Sequence, residues 1–208
     1  MVPEQFWIAS GNSHKVQELR YLATRTFPSW PEPVSREPKG AEENAASFIG
    51  NAEIKAFALA AELLSDGQRN FAVLADDSGL CIDVLGGAPG IISGRYARES
   101  ETNIQKVLRV LGSVTMNKIE RGGKYHCALV LVRVVDGRIT SQFHGEGIRE
   151  GFIAIRPRGE NGYAYDSIFT DCESGLTYGE VSPKAKHSDS HRARAFQALK
   201  SSVHESPV

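Results

Sequence analysis

The most constraining stretch of this chain is the junction at residues 73–79. An apolar run, 71–75, leads straight into two adjacent carboxylates, Asp76 and Asp77, followed by Ser78 and Gly79. A second apolar run, 80–85, is broken only by Asp83, and a Gly/Pro-rich turn, 86–90, comes next. A strand that ends in acids and then turns presents a metal ligand or a general base well. The strand fixes the backbone, and the turn opens the carboxylates to a cleft. Asp-Asp-Ser-Gly is also ordinary turn chemistry, so this stretch alone leaves both readings open.

Composition removes several function classes. A chain of 208 residues suits one domain, or a domain with an added lobe. With 41% hydrophobic residues it can bury a real core, and a formal net charge of -1 gives no global basic field for gripping nucleic acid. No apolar run approaches the roughly 18 residues that span a bilayer. The first ten residues lack a basic region followed by a long apolar one, so neither a membrane partner nor a signal peptide is expected. Cys81, Cys127 and Cys172 form no CxxC pair and no zinc pattern. These features read as a soluble, cytoplasmic protein of a reducing compartment.

Along the chain, residues 6–9 suit a buried strand, 10–13 are turn chemistry, and Val16, Leu19 and Leu22 set a helical spacing. Such a strand–turn–helix opening aims backbone N–H groups and a helix N-terminus at one spot, which suits an anion. Lys15 at the helix start opposes the dipole unless it serves that anion. Four prolines in 26–40 predict an extended connection. Residues 45–64 read as a long helix, on which Asn51 and Lys55 share a face. A short helix is predicted over 102–111, a basic Gly turn at 121–124, and a strand over 125–135. An Asp136-Gly137 hairpin turn and a returning strand over 139–147 follow. Further expectations are a separate strand at 152–155, an exposed loop at 156–162, a final helix over 190–199 and a frayed tail at 201–208. The order predicts an α/β class with a mixed sheet.

Five short blocks, in order, resemble the inosine triphosphate pyrophosphatase family, also called non-standard purine NTP pyrophosphatases. Ser10-Gly11-Asn12-x-x-Lys15 is similar to its opening phosphate-binding motif, and Ser47-Phe48-x-x-Asn51-Ala52-x-x-Lys55-Ala56 to its second block. Asp76-Asp77-Ser78-Gly79-Leu80, then Gly86-Gly87-Ala88-Pro89-Gly90 and Ser93-x-Arg95-Tyr96, resemble the core signature. Gly159-x-x-Gly162-Tyr163-Ala164-Tyr165-Asp166 resembles the base-recognition loop, and Lys186 with Ser190-His191-Arg192 the closing motif.

The resemblance implies a Mg²⁺-dependent enzyme that cleaves ITP, dITP or XTP between the α- and β-phosphates, giving monophosphate and pyrophosphate. It also implies a long mixed central sheet, two lobes around a nucleotide cleft, and a homodimer. Residues 1–200 would form the single pyrophosphatase domain. Carried over residue by residue, Asp77 is the general base and, with Asp76, the metal ligand. Ser78 donates to a phosphate oxygen, and Lys15, Lys55, Lys186 and Arg192 clamp phosphates. An aromatic at Tyr163 or Tyr165 packs on the purine, while Asp166, His191 and Arg192 read its 6-oxo edge. If residues 163–169 are extended, the two tyrosines share a face.

Two positions depart from the family pattern. A metal-site glutamate normally precedes the Asn-Ala pair, and Gly50 stands there. Glycine supplies no ligand and weakens a helix by about 1 kcal/mol relative to alanine. Glu43 and Glu53 are near in sequence, although Glu53 lies roughly 300° around the helix from position 50. The base loop reads Tyr163-Ala164-Tyr165-Asp166-Ser167 where the family has Phe-Gly-Tyr-Asp-Pro. Three readings follow: an active pyrophosphatase, a nucleotide binder with impaired hydrolysis, and a hydrolase with a changed nucleotide substrate.

Overall fold

The computed structural model describes residues 2–98, 100–114 and 119–205. Among these residues the sheet has six strands, in the order β2-β1-β3-β4-β5-β6. These are β1 (Gln5–Ala9), β2 (Val34–Arg36), β3 (Phe71–Ile82), β4 (Gly122–Val135), β5 (Arg138–Ile153) and β6 (Phe169–Asp171). Strand β1 runs parallel to β2 and β3, whereas β5 and β6 are antiparallel, so the sheet is mixed as predicted. The helices are α1 (Ser13–Thr26), α2 (Phe48–Ser65), α3 (Asn103–Val114), α4 (Pro183–Asp189) and α5 (His191–Glu205).

Several boundaries differ from expectation. Strand β3 does not stop at the acids: it continues through Asp76, Asp77 and Ser78 to Ile82. The basic turn expected at 121–124 is already strand from Gly122. Residues 152–153 end β5, a single strand of 16 residues, instead of starting a new one. The tail expected from 201 is helical through Glu205, and 206–208 lie outside the described residues. Helix α4 and strand β2 were not foreseen. Asp136 and Gly137 both have positive φ (51° and 76°), the backbone that a two-residue hairpin turn requires.

The chain divides into two compact units. The first comprises Met1–Asp77, Cys127–Gly147 and Arg192–Val208. Its strands alternate, so odd and even positions pack on different partners. Phe6, Ile8, Ala72 and Leu74 pack with Leu19 of α1 and Phe196 of α5. Ala9, Val73 and Ala75 pack with Ala52, Ala56 and Leu59 of α2. Each fully buried Leu or Phe contributes about 1.5–3 kcal/mol. Gly145 of β5 admits α5 very closely: a Cβ there would lie 2.3 Å from the Ala195 carbonyl oxygen and 2.5 Å from the Leu199 nitrogen.

The second unit comprises Ser78–His126 and Ile148–His191. Its core is aromatic, with Tyr125 against Phe169 at 4.6 Å and stacked beside Tyr178 at 5.9 Å between centroids. Arg121, expected in a turn, is 2% exposed and donates to the carbonyls of Ile153 (2.8 Å) and Ala154 (3.0 Å), closing the end of β5. Arg149 reaches Asp171 (2.6 Å), Glu173 (3.0 Å) and Asp189 (2.5 Å), tying β5 to β6 and α4. Cys81, Cys127 and Cys172 are free thiols. No helix among the described residues is long and apolar enough to cross a membrane.

The Arg149 cluster makes stability depend on acid. Burial alone would raise the Asp171 carboxyl, but hydrogen bonds from Arg149 and Ser174 outweigh it and hold the group below its ordinary value of 3.8. A carboxylate whose folded pKa is depressed stabilises the protein above its unfolded pKa. That contribution is lost as pH falls through the folded value. The melting temperature is therefore expected to fall below about pH 4, less steeply in Asp171→Asn than in the parent. Identical acid limbs in the two proteins would refute the assignment.

Candidate active site

The pleat of β3 decides the site. Successive residues of a strand face opposite sides, so Asp76 follows Ala72 and Leu74 toward α1 and α5, while Asp77 follows Val73 and Ala75 toward α2. The two carboxylates, expected to act together at a turn, lie mid-strand and enter different surroundings.

Asp76 is 3% exposed and enclosed by cations. Lys15 Nζ lies 2.8 Å from its Oδ1 and Arg192 Nε 3.5 Å from its Oδ2. The Cys127 thiol donates to Oδ2 at 3.6 Å. Burial pushes the Asp76 pKa up, but Lys15, Arg192 and Lys55 together overcome this and hold it far below the carboxylate range. The same burial, with Asp76 beside it, drives the Cys127 thiol well up, so it stays a neutral donor. Arg192 is itself shared, donating to Glu18 at 2.8 Å.

Asp77 is 4% exposed and less well compensated. Asn51 Nδ2 donates to its Oδ2 at 3.1 Å, and Lys55 Nζ lies 3.5 Å from its Oδ1. Burial, aided by the neighbouring charge of Asp76, raises its pKa against the opposing pull of Lys55, Lys15 and Asn51. Burial pulls Lys55 the other way, yet Asp77, Asp76 and Glu43 leave it raised and firmly cationic. Two neighbouring carboxyls pushed apart in this way suit different tasks: Asp76 is a fixed negative charge, Asp77 a stronger base. Asn51 and Lys55 do share one face of α2, as their spacing predicted, and Ser47 caps that helix by accepting from the Gly50 N–H at 3.1 Å.

The opening motif forms the start of α1. Ser10 Oγ accepts from the Asn12 N–H at 3.2 Å, and Asn12 Oδ1 accepts from the Lys15 N–H at 3.1 Å as the N-cap. Gly11 is exposed. Lys15, unfavourable beside the helix dipole, is held in place by Asp76.

In the second unit the base loop is a turn, not an extended segment. Tyr163 and Tyr165 therefore do not act as a pair on one face. Tyr165 is buried and donates to the Ser93 carbonyl at 2.8 Å. Ser93 in turn accepts from the Leu80 N–H at 2.9 Å, so part of the core signature is architectural. Asp166 is 2% exposed, and its oxygens accept from the Tyr163 N–H (2.8 Å), Lys186 Nζ (2.7 Å) and Tyr125 OH (3.2 Å). It organises the loop through these three accepted bonds. Lys186, expected as a phosphate clamp, is buried on Asp166, with the Tyr163 and Tyr178 rings 5.3 and 5.5 Å from its nitrogen. His191 stacks flat on Tyr125 at 4.5 Å. Ser78 is half-buried on β3, and Arg95 is exposed at the end of a 3-10 helix, Gly90–Arg95.

Ala164 has φ of +53°. The left-handed conformation explains why glycine suits this position. Glu43, noted in the sequence as an acid near position 50, places its Oε1 3.1 Å from Lys55 Nζ.

The model of the Ham1 family matches residues 6–202. The chain is 38% identical over 194 residues to a protein named dITP/XTP pyrophosphatase from Parasynechococcus marenigrum, covering 92% of this chain and 91% of that one. It is 40% identical to one of the same name from Rhodospirillum centenum, over 92% of this chain and 91% of the relative. Among solved structures, a HAM1 protein from Coxiella burnetii superposes with a TM-score of 0.75 at 33% identity, covering 99% of this chain and 100% of the other. The Ham1 protein of Staphylococcus aureus gives 0.75 at 31%, covering 97% and 98%.

Two stability effects are expected from the loop. Lys186→Met strands the buried Asp166 charge and should cost about 3–5 kcal/mol in urea denaturation; a loss under about 1 kcal/mol would contradict the buried pair. Ala164→Gly relieves the left-handed alanine and should stabilise by about 1 kcal/mol; destabilisation would contradict the assigned backbone.

Proposed function

This chain belongs to the Ham1 family, and we propose that it hydrolyses non-standard purine nucleoside triphosphates (ITP, dITP and XTP) to the monophosphate and pyrophosphate. The observation that carries the reading is the setting of Asp77. It is a buried carboxylate of raised basicity, oriented by Asn51 and flanked by Lys55. The names of relatives at 38–40% identity over nine-tenths of the chain support it.

Asp77 takes the proton of the attacking water. Lys15, Lys55 and Arg192 bring positive charge to where a triphosphate concentrates negative charge. Ser78 donates to a phosphate oxygen, and Tyr163 packs on the purine. A pocket that hydrogen-bonds a 6-oxo group rejects a 6-amino purine, since the mismatch leaves buried polar groups unpaired. Mg²⁺ belongs to this reading: Asp77 and Asp76, the residues that would hold it, offer hard carboxylate oxygens, which suit such an ion. When bound it neutralises phosphate charge and polarises the scissile bond. The reading extends to one functional domain over residues 1–200, a homodimer, and a cytoplasmic setting.

The test is pyrophosphate release with Mg²⁺ from ITP, XTP, dITP, ATP, GTP, CTP and UTP. Release from the first three should exceed that from ATP at least about a hundredfold. Asp77→Asn should lower turnover by about 10²–10⁴ while leaving the melting temperature near that of the parent. Full activity in Asp77→Asn would remove Asp77 from the mechanism. Gly50 favours a second reading, a nucleotide binder with impaired turnover; nucleotide binding with no release across the panel would establish it. High release from another nucleotide alone would instead point to a changed substrate, which Ala164 motivates.

A further inference from the structure

We infer that Tyr125, which lies in none of the five sequence blocks, is a positioning residue for base recognition: its hydroxyl sets Asp166 and its ring sets His191. The inference rests on the 6-oxo purine reading above.

Tyr125 stands on β4 and is 5% exposed. A buried tyrosine needs a partner for its hydroxyl, and this one donates to Asp166 Oδ1 at 3.2 Å. The other oxygen, Oδ2, accepts from the Tyr163 N–H at 2.8 Å and from Lys186 Nζ at 2.7 Å. Oδ2 also lies so close to the backbone of Gly162 that a Cβ there would collide with it. Tyr125 thus holds one end of the carboxylate, and the other end holds Tyr163, the ring that packs on the purine in this reading. Without the hydroxyl the carboxylate can turn about its Cβ–Cγ bond, and the Tyr163 N–H loses a fixed acceptor.

The ring has a second task. His191 lies flat on it, with centroids 4.5 Å apart and planes 11° from parallel. A flat stack fixes the plane of an imidazole and leaves its nitrogens at the ring edge, where its hydrogen bonds form. The family resemblance sets His191 at the 6-oxo edge of the purine. One side chain therefore orients a group of the base loop and a group of the closing motif, which the sequence keeps in separate blocks.

Tyr178 shows what packing alone looks like in the same core. It too stacks beside Tyr125, at 5.9 Å between centroids and 8° from parallel. It is also buried, yet its hydroxyl has no hydrogen-bond partner among the described residues. Of these two stacked tyrosines, Tyr125 is the one whose hydroxyl is tied to the loop.

The test is equilibrium binding of ITP and of ATP to the full chain in EDTA, beside pyrophosphate release with Mg²⁺. The variants are Tyr125→Phe, Tyr125→Leu and, as a control, Tyr178→Phe. The parent should bind ITP more tightly than ATP. Tyr125→Phe keeps the ring and should narrow that preference about tenfold, the worth of one hydrogen bond to a charged group. Its kcat on ITP should stay within about threefold of the parent, since no group around Asp77 changes. Tyr125→Leu removes the stack as well and should narrow the preference about threefold further; where it fails to fold, Tyr125→Phe decides. Tyr178→Phe should keep the parent's preference. A residue that only packs would weaken ITP and ATP binding together. A parent-like preference in Tyr125→Phe, an equal change in Tyr178→Phe, or no preference in the parent would overturn the inference. A preference narrowed in Tyr125→Phe and not in Tyr178→Phe, with no pyrophosphate release by the parent from any nucleotide, would sink the hydrolase reading and leave the role of Tyr125 standing.

Discussion

The alternation of a β-strand across one peptide bond governs this molecule's chemistry. Because β3 remains extended through Asp76 and Asp77, two charges that would repel at close quarters are turned to opposite sides of the strand. Asp76 meets Lys15 and Arg192, which more than offset its desolvation. Asp77 meets one lysine and one amide, which do not. Neighbours in sequence thereby differ in acidity, with no change of residue type.

That division was only partly legible in the sequence. The helical spacing of Asn51 and Lys55 and the strand–turn–helix opening could be read from periodicity, since both are local. The fate of Asp-Asp-Ser-Gly could not. Its residue types favour turns, whereas β3 is held between β1 and β4, strands distant along the chain. The base loop failed in the opposite direction. An extended course would have put its two tyrosines on one face, but bonds to Asp166 accompany a turn instead. Arg121 read as part of a basic turn because nothing local reveals that two carbonyls at the end of β5 await it.

The two units reach order by different means. The first is stitched by aliphatic and alanine faces on either side of alternating strands. The second relies on stacked aromatics and on buried charges, Asp166 with Lys186 and Arg149 with Asp171. Directional contacts hold one arrangement and penalise others when a partner is missing. The 163–166 loop, held on Asp166, gains from that rigidity.

Gly145 joins architecture to chemistry in a way that its bare side chain hides. The backbone of α5 rests against it at Ala195 and Leu199, and Arg192 lies at the first turn of the same helix, on Asp76. A helix is a stiff rod, so a methyl inserted at 145 would act as a shim. It would tilt the lever that carries the guanidinium and loosen the charge balance around Asp76, with no chemical group in the site altered. The charge balance around Asp76 is therefore held partly by an empty space on a neighbouring strand.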